Sequence, residues 1–172
     1  MKKTLAVLVT AVLALGLTSC GGNDDEAASK ALSDSIMKSQ ESSNASQFFA
    51  MERKDADCIG DGMVDEIGTD QLQEYGMITK DNKANKDVTA VKMSTGDAES
   101  ATDVLFDCTD VPGMMQKAVG DSGQIPAEMQ DCVNEALNEK NLRSMFTKVF
   151  SGKQEEAQQE LIQPMMKCQS GG

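Results

Sequence analysis

The feature that most constrains the fold is an internal repeat whose two copies each begin and end near a cysteine. Residues 56–59 (Ala-Asp-Cys-Ile) match residues 130–133 (Gln-Asp-Cys-Val), and residues 105–108 match residues 165–168, which also end in cysteine. Two pairs of apolar residues between the cysteines correspond as well: Met63 with Leu137, and Leu72 with Leu142. A repeat of this kind predicts two similar structural units.

The two copies differ in length by amounts that a helix tolerates. The first copy is four residues longer between its cysteine and its leucine, and the second is four residues longer between Gly152 and Cys168 than the first between Gly96 and Cys108. Four residues are close to one helical turn of about 3.6 residues, so the apolar face is kept. We therefore expect repeat one at about 52–110 and repeat two at about 125–169, within one domain at 47–172.

Apolar residues recur at helical spacing throughout this domain and rarely alternate as they do in a strand. One such series is Met129, Cys132, Val133, Ala136 and Leu137, and another is Leu142, Met145, Phe146, Val149 and Phe150. The predicted fold class is therefore all-α, with two repeated disulfide-closed helical hairpins in one small domain.

The first 20 residues have the parts of a secretory leader. Lys2 and Lys3 supply positive charge, and Leu5–Leu17 is an apolar run of about 20 Å as a helix, short of the ~30 Å hydrocarbon core. The residues that follow it, 17–20 (Leu-Thr-Ser-Cys), resemble the lipobox of bacterial lipoproteins. The resemblance covers residues 1–20. It implies that residues 1–19 are a signal peptide removed by signal peptidase II, and that lipid is attached to Cys20.

A lipid on Cys20 would hold the protein at a membrane of the bacterial cell envelope, outside the cytoplasm. Removal of residues 1–19, which include Lys2 and Lys3, would leave 153 residues and change the formal net charge from −12 to −14. So acidic a chain repels phosphate backbones, which argues against nucleic acid as a partner.

Residues 20–46 are polar and rich in serine. We expect them to form the lipidated N-terminus and a flexible tether. Leu32 and Ile36 are four residues apart, which leaves open a short helix from about Ala27 to Gln40.

Four cysteines remain besides Cys20, and an even number in an exported domain indicates disulfide bonds. In an antiparallel hairpin the start of the first helix lies beside the end of the last, which favours Cys58–Cys108 and Cys132–Cys168. A metal site of four thiolates is disfavoured because no two cysteines are separated by only a few residues. The sequence also lacks the Cys-x-x-Cys motif of thiol oxidoreductases, which argues against that class of enzyme.

The chain contains no histidine, which excludes Ser-His-Asp and Cys-His catalysis and histidine-ligated zinc. Residues 120–123 (Gly-Asp-Ser-Gly) have the sequence found around the nucleophile of chymotrypsin-like proteases. Those enzymes are β-barrels that need a histidine base. We therefore interpret the tetrapeptide as a loop between helices.

Two acidic segments raise the question of calcium. Asp55, Asp57 and Asp61 are closely spaced, and residues 81–87 carry several side-chain oxygens. Neither segment has the EF-hand pattern with a glutamate at loop position 12. Ordinary solvated charge explains both segments better, and no metal site is predicted.

Methionine is abundant, with eleven residues after the leader against six aromatic residues. Thioethers bind copper(I), which makes Met114–Met115 and Met165–Met166 conceivable ligands. Their helical spacing favours core packing instead. A methionine-lined groove for an apolar ligand or a partner helix remains open.

Together these observations favour a lipid-anchored, non-enzymatic interaction or binding module that needs no cofactor. Its expected partners are the membrane, through Cys20, and an envelope protein or a small apolar ligand. The alternatives are methionine-based metal handling and an envelope enzyme with two carboxyl groups roughly 5–9.5 Å apart.

Overall fold

The computed structural model describes residues 22–42, 51–85, 91–121, 123 and 125–169. These residues form helices with one isolated β-bridge, Ile78 with Ala84, which confirms the all-α prediction. The helices are α1 (Gly22–Ser42), α2 (Arg53–Ile67), α3 (Thr69–Glu74), α4 (Thr95–Cys108), α5 (Val111–Asp121), α6 (Ala127–Ala136), α7 (Glu139–Phe150) and α8 (Gln154–Gln169). Within the described ranges no helix is long and apolar enough to cross a bilayer.

The two disulfide bonds have the pairing predicted from the repeat. Cys58–Cys108 joins α2 to the end of α4, and Cys132–Cys168 joins α6 to α8, each with a Cα–Cα distance of 5.7 Å. In the chain, a third helix lies between the two bridged helices of each unit: α3 in the first unit and α7 in the second. Unit one is therefore α2–α4 and unit two is α6–α8.

Each unit has its own core, and residues that correspond in the repeat occupy corresponding buried positions. The first core contains Ile59, Met63 and Leu72, and the second contains their counterparts, with all six side chains buried. The counterparts are Val133, Leu137 and Leu142. The repeat in sequence is thus a repeat of the packing.

Helix α1 corrects the prediction of a flexible tether at 20–46. Residues 22–42 form a helix that packs along α2 with Ala28 and Leu32 buried, so over this stretch the tether prediction was wrong. The short helix that the sequence analysis considered, from about 27 to 40, lies inside α1. The rest of the predicted tether, residues 20, 21 and 43–46, lies outside the described residues. The polar serines that indicated a tether are small, and small side chains let two helices approach closely.

Helix α1 approaches α2 closely at Gly60. The buried Ser33 hydroxyl lies 3.0 Å from the Ser29 carbonyl oxygen and 3.1 Å from that of Ala56. A Cβ atom on Gly60 would lie 2.6 Å from the Ser29 carbonyl oxygen and 2.5 Å from Ser33 Oγ. Backbone on one side and a hydrogen-bonded hydroxyl on the other leave no room for a methyl group.

We expect Gly60→Ala to lower the free energy of unfolding by about 1–3 kcal/mol, because α1 and α2 must separate to admit the methyl group. Denaturant unfolding measures this change. Gly96→Ala is the matched control: its Cβ would meet nothing within 4 Å, so it should be neutral or stabilise α4 by up to about 1 kcal/mol. Equal stability of Gly60→Ala and the wild type would contradict the close packing of α1.

The two units meet where α4 packs against α7. The Phe106 and Phe146 rings lie edge to face with centroids 6.0 Å apart, and the Arg143 guanidinium lies 4.5 Å from the centroid of the Phe106 ring. Arg143 also donates to Asp103 at 2.6 Å. Leu105 packs on both cores. The units are therefore joined by aromatic, ionic and apolar contacts.

Candidate functional site

An apolar cavity of about 250 Å³ lies where α1 crosses the first core. It is lined by side chains of α1, α2, α4, the end of α7 and two connecting segments. The lining residues are Leu32, Ser35, Ile36, Met51, Ile59, Met63, Met77, Leu105 and Phe150. None of these described residues is charged, and Ser35 is the one that carries a hydroxyl.

Helical geometry places the lining side chains of α1 and α2. Leu32 and Ile36 are four residues apart on α1, as are Ile59 and Met63 on α2, so each pair occupies one face. Ile59 and Met63 are also members of the first core. One wall of the cavity is therefore part of the packed core.

Hydrogen bonds hold the connecting segments in place. The Met51 backbone N–H donates to Gln40 Oε1 at 2.9 Å, which ties the segment before α2 to the last turns of α1. The Met77 N–H donates to the Leu72 carbonyl at 3.0 Å. The Met93 N–H donates to the carbonyl of Phe150 at 2.8 Å. The cavity wall thus depends on both units and on α1.

The chemistry of the lining suits an uncharged apolar occupant. A charged group would lose its hydration there and gain no ionic partner from the lining. An apolar cavity of about 150 Å³ binds benzene, so about 250 Å³ corresponds to roughly ten non-hydrogen atoms. Three of the nine lining residues are methionines, whose flexible thioether chains adapt to the shape of a ligand.

In each methionine pair considered as copper ligands, one member packs on the second core and the other does not. Met115 and Met165 pack on the second core, whereas Met114 is half-buried and Met166 is 62% exposed. Neighbouring residues of a helix point about 100° apart, which explains the division. Many methionines fill the two cores: Met51, Met63, Met77, Met93, Met115, Met129, Met145 and Met165.

The candidate calcium ligands have partners within the protein. The Glu52 N–H donates to the Asp55 carboxylate at 3.3 Å, and Asp57 lies 3.7 Å from Arg53. Asp61 accepts a hydrogen bond from Ser29. No group of three or more histidine, cysteine, aspartate or glutamate side chains that could hold a metal ion is found in the parts of the chain that the structure describes, and residues 86 and 87 lie outside them.

A second, more open cavity of about 580 Å³ lies at the N-terminal end of α1. Its lining includes Asp24, Asp25, Thr69, Asp70 and Lys80. Thr69 Oγ1 donates to Asp25 at 2.6 Å, which joins the first turn of α1 to α3. This cavity is polar, in contrast to the apolar cavity.

Among the residues that the structure describes, four carboxyl groups have pKa values that depart from the ordinary value, and all four are lowered. Hydrogen bonds from Tyr75 and Ser94 lower the pKa of Asp97, and a hydrogen bond from Lys148 lowers that of Glu160. The other two are Asp34 and Glu52, whose pKa values are lowered by hydrogen bonds from Arg53 and Lys54 respectively. A general acid needs a raised pKa, so these groups are suited to ion pairs and hydrogen bonds.

The structure brings together Cys58 with Cys108 and Cys132 with Cys168, as predicted, whereas Cys20 and Ser122 lie outside the described residues. The cavity itself was not predicted residue by residue.

Comparison of the chain with protein-family models, with curated proteins and with solved structures finds no match. Function is therefore inferred from the residues and geometry of this molecule alone.

Proposed function

We propose that the protein is a lipid-anchored, non-enzymatic binding module of the bacterial cell envelope, and that its apolar cavity takes a small uncharged ligand. The observation that carries the binding proposal is the cavity of about 250 Å³ with no charged side chain in its described lining. The lipobox-like residues 17–20 support the anchor. No resident cofactor or metal is needed.

The disulfide bonds support a location outside the cytoplasm. Structural disulfides form and persist in oxidising compartments such as the bacterial periplasm and cell surface. Both bonds close a unit of the fold, at Cys58–Cys108 and Cys132–Cys168, which is a structural use rather than a redox motif. A location outside the cytoplasm also agrees with the signal peptide that we propose for residues 1–19.

The size of the cavity limits the affinity. Burial of each CH₂ group contributes about 0.8 kcal/mol, so roughly ten carbon atoms contribute at most about 8 kcal/mol. Part of this is lost because the ligand is immobilised. We therefore expect dissociation constants between about 1 μM and 1 mM.

Copper(I) is a second candidate ligand because three thioethers line the same cavity. Met51, Met63 and Met77 are soft, uncharged ligands of the kind that copper(I) prefers. These three methionines are not the adjacent pairs, Met114–Met115 and Met165–Met166, that the sequence analysis considered. A carboxylate-based enzyme has less support, since every carboxyl group of the described residues with a shifted pKa has it lowered, and a general acid needs a raised pKa.

Naphthalene, with ten carbon atoms, tests the binding proposal. The chain from residue 20 onward, carrying Cys20→Ala to avoid lipid and detergent, should bind one naphthalene per molecule, measured by its fluorescence. Naphthalene-2-sulfonate should bind at least about tenfold more weakly because the cavity cannot solvate its charge. Ser35→Leu, which fills the cavity, should weaken naphthalene binding by about tenfold or more, a loss of about 1.4 kcal/mol.

Ser39→Leu is the matched control, since Ser39 is exposed on the same helix and lies outside the cavity lining. It should bind naphthalene as the parent does. Equal binding by Ser35→Leu and Ser39→Leu would refute the apolar-ligand proposal. Met63→Leu distinguishes the apolar ligand from copper(I). This variant should still bind naphthalene. Stoichiometric copper(I) binding by the parent protein that is lost in Met63→Leu would favour metal handling instead.

A further inference from the structure

The first described helix begins only two residues after the cysteine that we propose to be lipidated. Two residues span at most about 7 Å in any conformation, and α1 starts at Gly22. We propose that the protein sits directly on the membrane, with the N-terminal end of α1 against the lipid head groups and α1 acting as a rigid post. This inference rests on the proposed lipidation of Cys20.

The start of α1 is held to the body of the domain. Asp25 accepts a hydrogen bond from Thr69 at 2.6 Å, and Asp24 accepts one from Asn82 at 3.4 Å. One turn later, Ala28 is fully buried against the first core. The anchor end of α1 is therefore fixed to unit one by hydrogen bonds and by packing.

The surface at this end is polar and suits hydrated head groups. Asp24, Asp70, Lys80 and Asn82 line the open cavity beside the start of α1. No residue of its described lining is aromatic, and Ile67 is the one large apolar member, so the surface is suited to resting on the membrane rather than entering it. Its aspartates favour zwitterionic over anionic lipid.

The same geometry limits the height of the apolar cavity above the membrane. Leu32 and Ile36 are ten and 14 residues beyond Gly22, which is about 15–21 Å along the helix axis. The cavity wall on α1 therefore lies within about 28 Å of the Cys20 Cα atom, whichever way the two linking residues run. A flexible tether would leave this height undefined.

Energy transfer from tryptophan to the membrane tests the arrangement, because the chain contains no tryptophan of its own. Glu26 and Lys38 are exposed on α1 and 12 residues apart, about 18 Å along the axis. Glu26→Trp and Lys38→Trp would be prepared separately in the full lipidated chain. Each would be bound to phosphatidylcholine vesicles that carry dansyl groups on a fraction of their head groups.

We expect transfer from Glu26→Trp to exceed that from Lys38→Trp by about twofold or more, because transfer falls steeply over the ~18 Å between them. Insertion of 20 glycine and serine residues between Gly21 and Gly22 should lower the transfer from Glu26→Trp to near that of Lys38→Trp. Equal transfer from the two sites without the insertion, or transfer that the insertion leaves unchanged, would overturn the rigid post.

Two further measurements distinguish failure of the lipid anchor from failure of the rigid post. The intact mass of the mature protein should show Cys20 lipidated, and Cys20→Ala should not bind the vesicles. An unmodified Cys20 would refute the lipid anchor and the post with it. A lipidated, vesicle-bound protein with equal transfer from both sites would refute the post alone. Circular dichroism of each variant confirms that the helices are retained.

Discussion

Replacement of Cys132 by serine is expected to lower the free energy of unfolding by about 2–5 kcal/mol while Cys58–Cys108 stays closed. The Cys132–Cys168 bond spans 36 residues, and its loss frees that loop in the unfolded chain. A domain of this size has about 5–15 kcal/mol in total, so the change should be large in a denaturant unfolding curve. In a Cys20→Ala background, thiol titration in denaturant should find one free thiol, that of Cys168.

The matched control is the double variant Cys132→Ser, Cys168→Ser, which loses the same bond without leaving a free thiol. It should be destabilised to a similar extent. If Cys132→Ser instead showed no free thiol in that background, or unfolded as the wild type does, the assignment of one independent disulfide to each unit would be incorrect.

Leu142→Ala is expected to cost about 2–5 kcal/mol of unfolding free energy, and Leu72→Ala should cost a similar amount. Each leucine is 0% exposed, and the two occupy corresponding positions in the cores of units two and one. Truncation removes apolar contacts and leaves a space that the surrounding helices fill only in part. Denaturant unfolding of the two variants measures both values.

Ile162→Ala provides the control for these truncations. Ile162 is 50% exposed on α8, so its loss should change the unfolding free energy by no more than about 0.5 kcal/mol. A value below about 1 kcal/mol for either leucine would show that the corresponding core is not packed as described.

The repeated units could be predicted from the sequence because the signal lies within each copy. Apolar residues at helical spacing fix one buried face, as with Ile59 and Met63 in one copy and Val133 and Leu137 in the other. The same alignment placed the cysteines at the ends of antiparallel helices. The disulfide pairing then followed from proximity.

Helix α1 was not predicted as a packed element because its buried face uses small residues. Ala28, Ser29 and Ser33 are buried, yet in the sequence they look like part of a polar linker. Their role depends on Gly60, about 30 residues away, which allows the two backbones to approach. A close crossing of this kind has no local signature in either segment.

The apolar cavity could not be located from the sequence for a related reason. Its wall joins Leu32, Met77 and Phe150, which are far apart in the chain and belong to different elements. Helix α1, which lies outside the repeat, contributes three of the lining residues. The abundance of methionine indicated an adaptable apolar surface, but its position depends on how α1 and the two units pack.

The pairing of the four cysteines underlies the two units, their separate cores and the cavity that α1 forms with both units. Trypsin digestion of the unreduced wild-type protein tests it directly, since cleavage after Lys117 falls between Cys108 and Cys132. Mass spectrometry should find the peptide 55–80 joined to 93–117, and 118–140 joined to 168–172. Peptide 55–80 joined to 168–172, or 93–117 joined to 118–140, would contradict the two-unit fold.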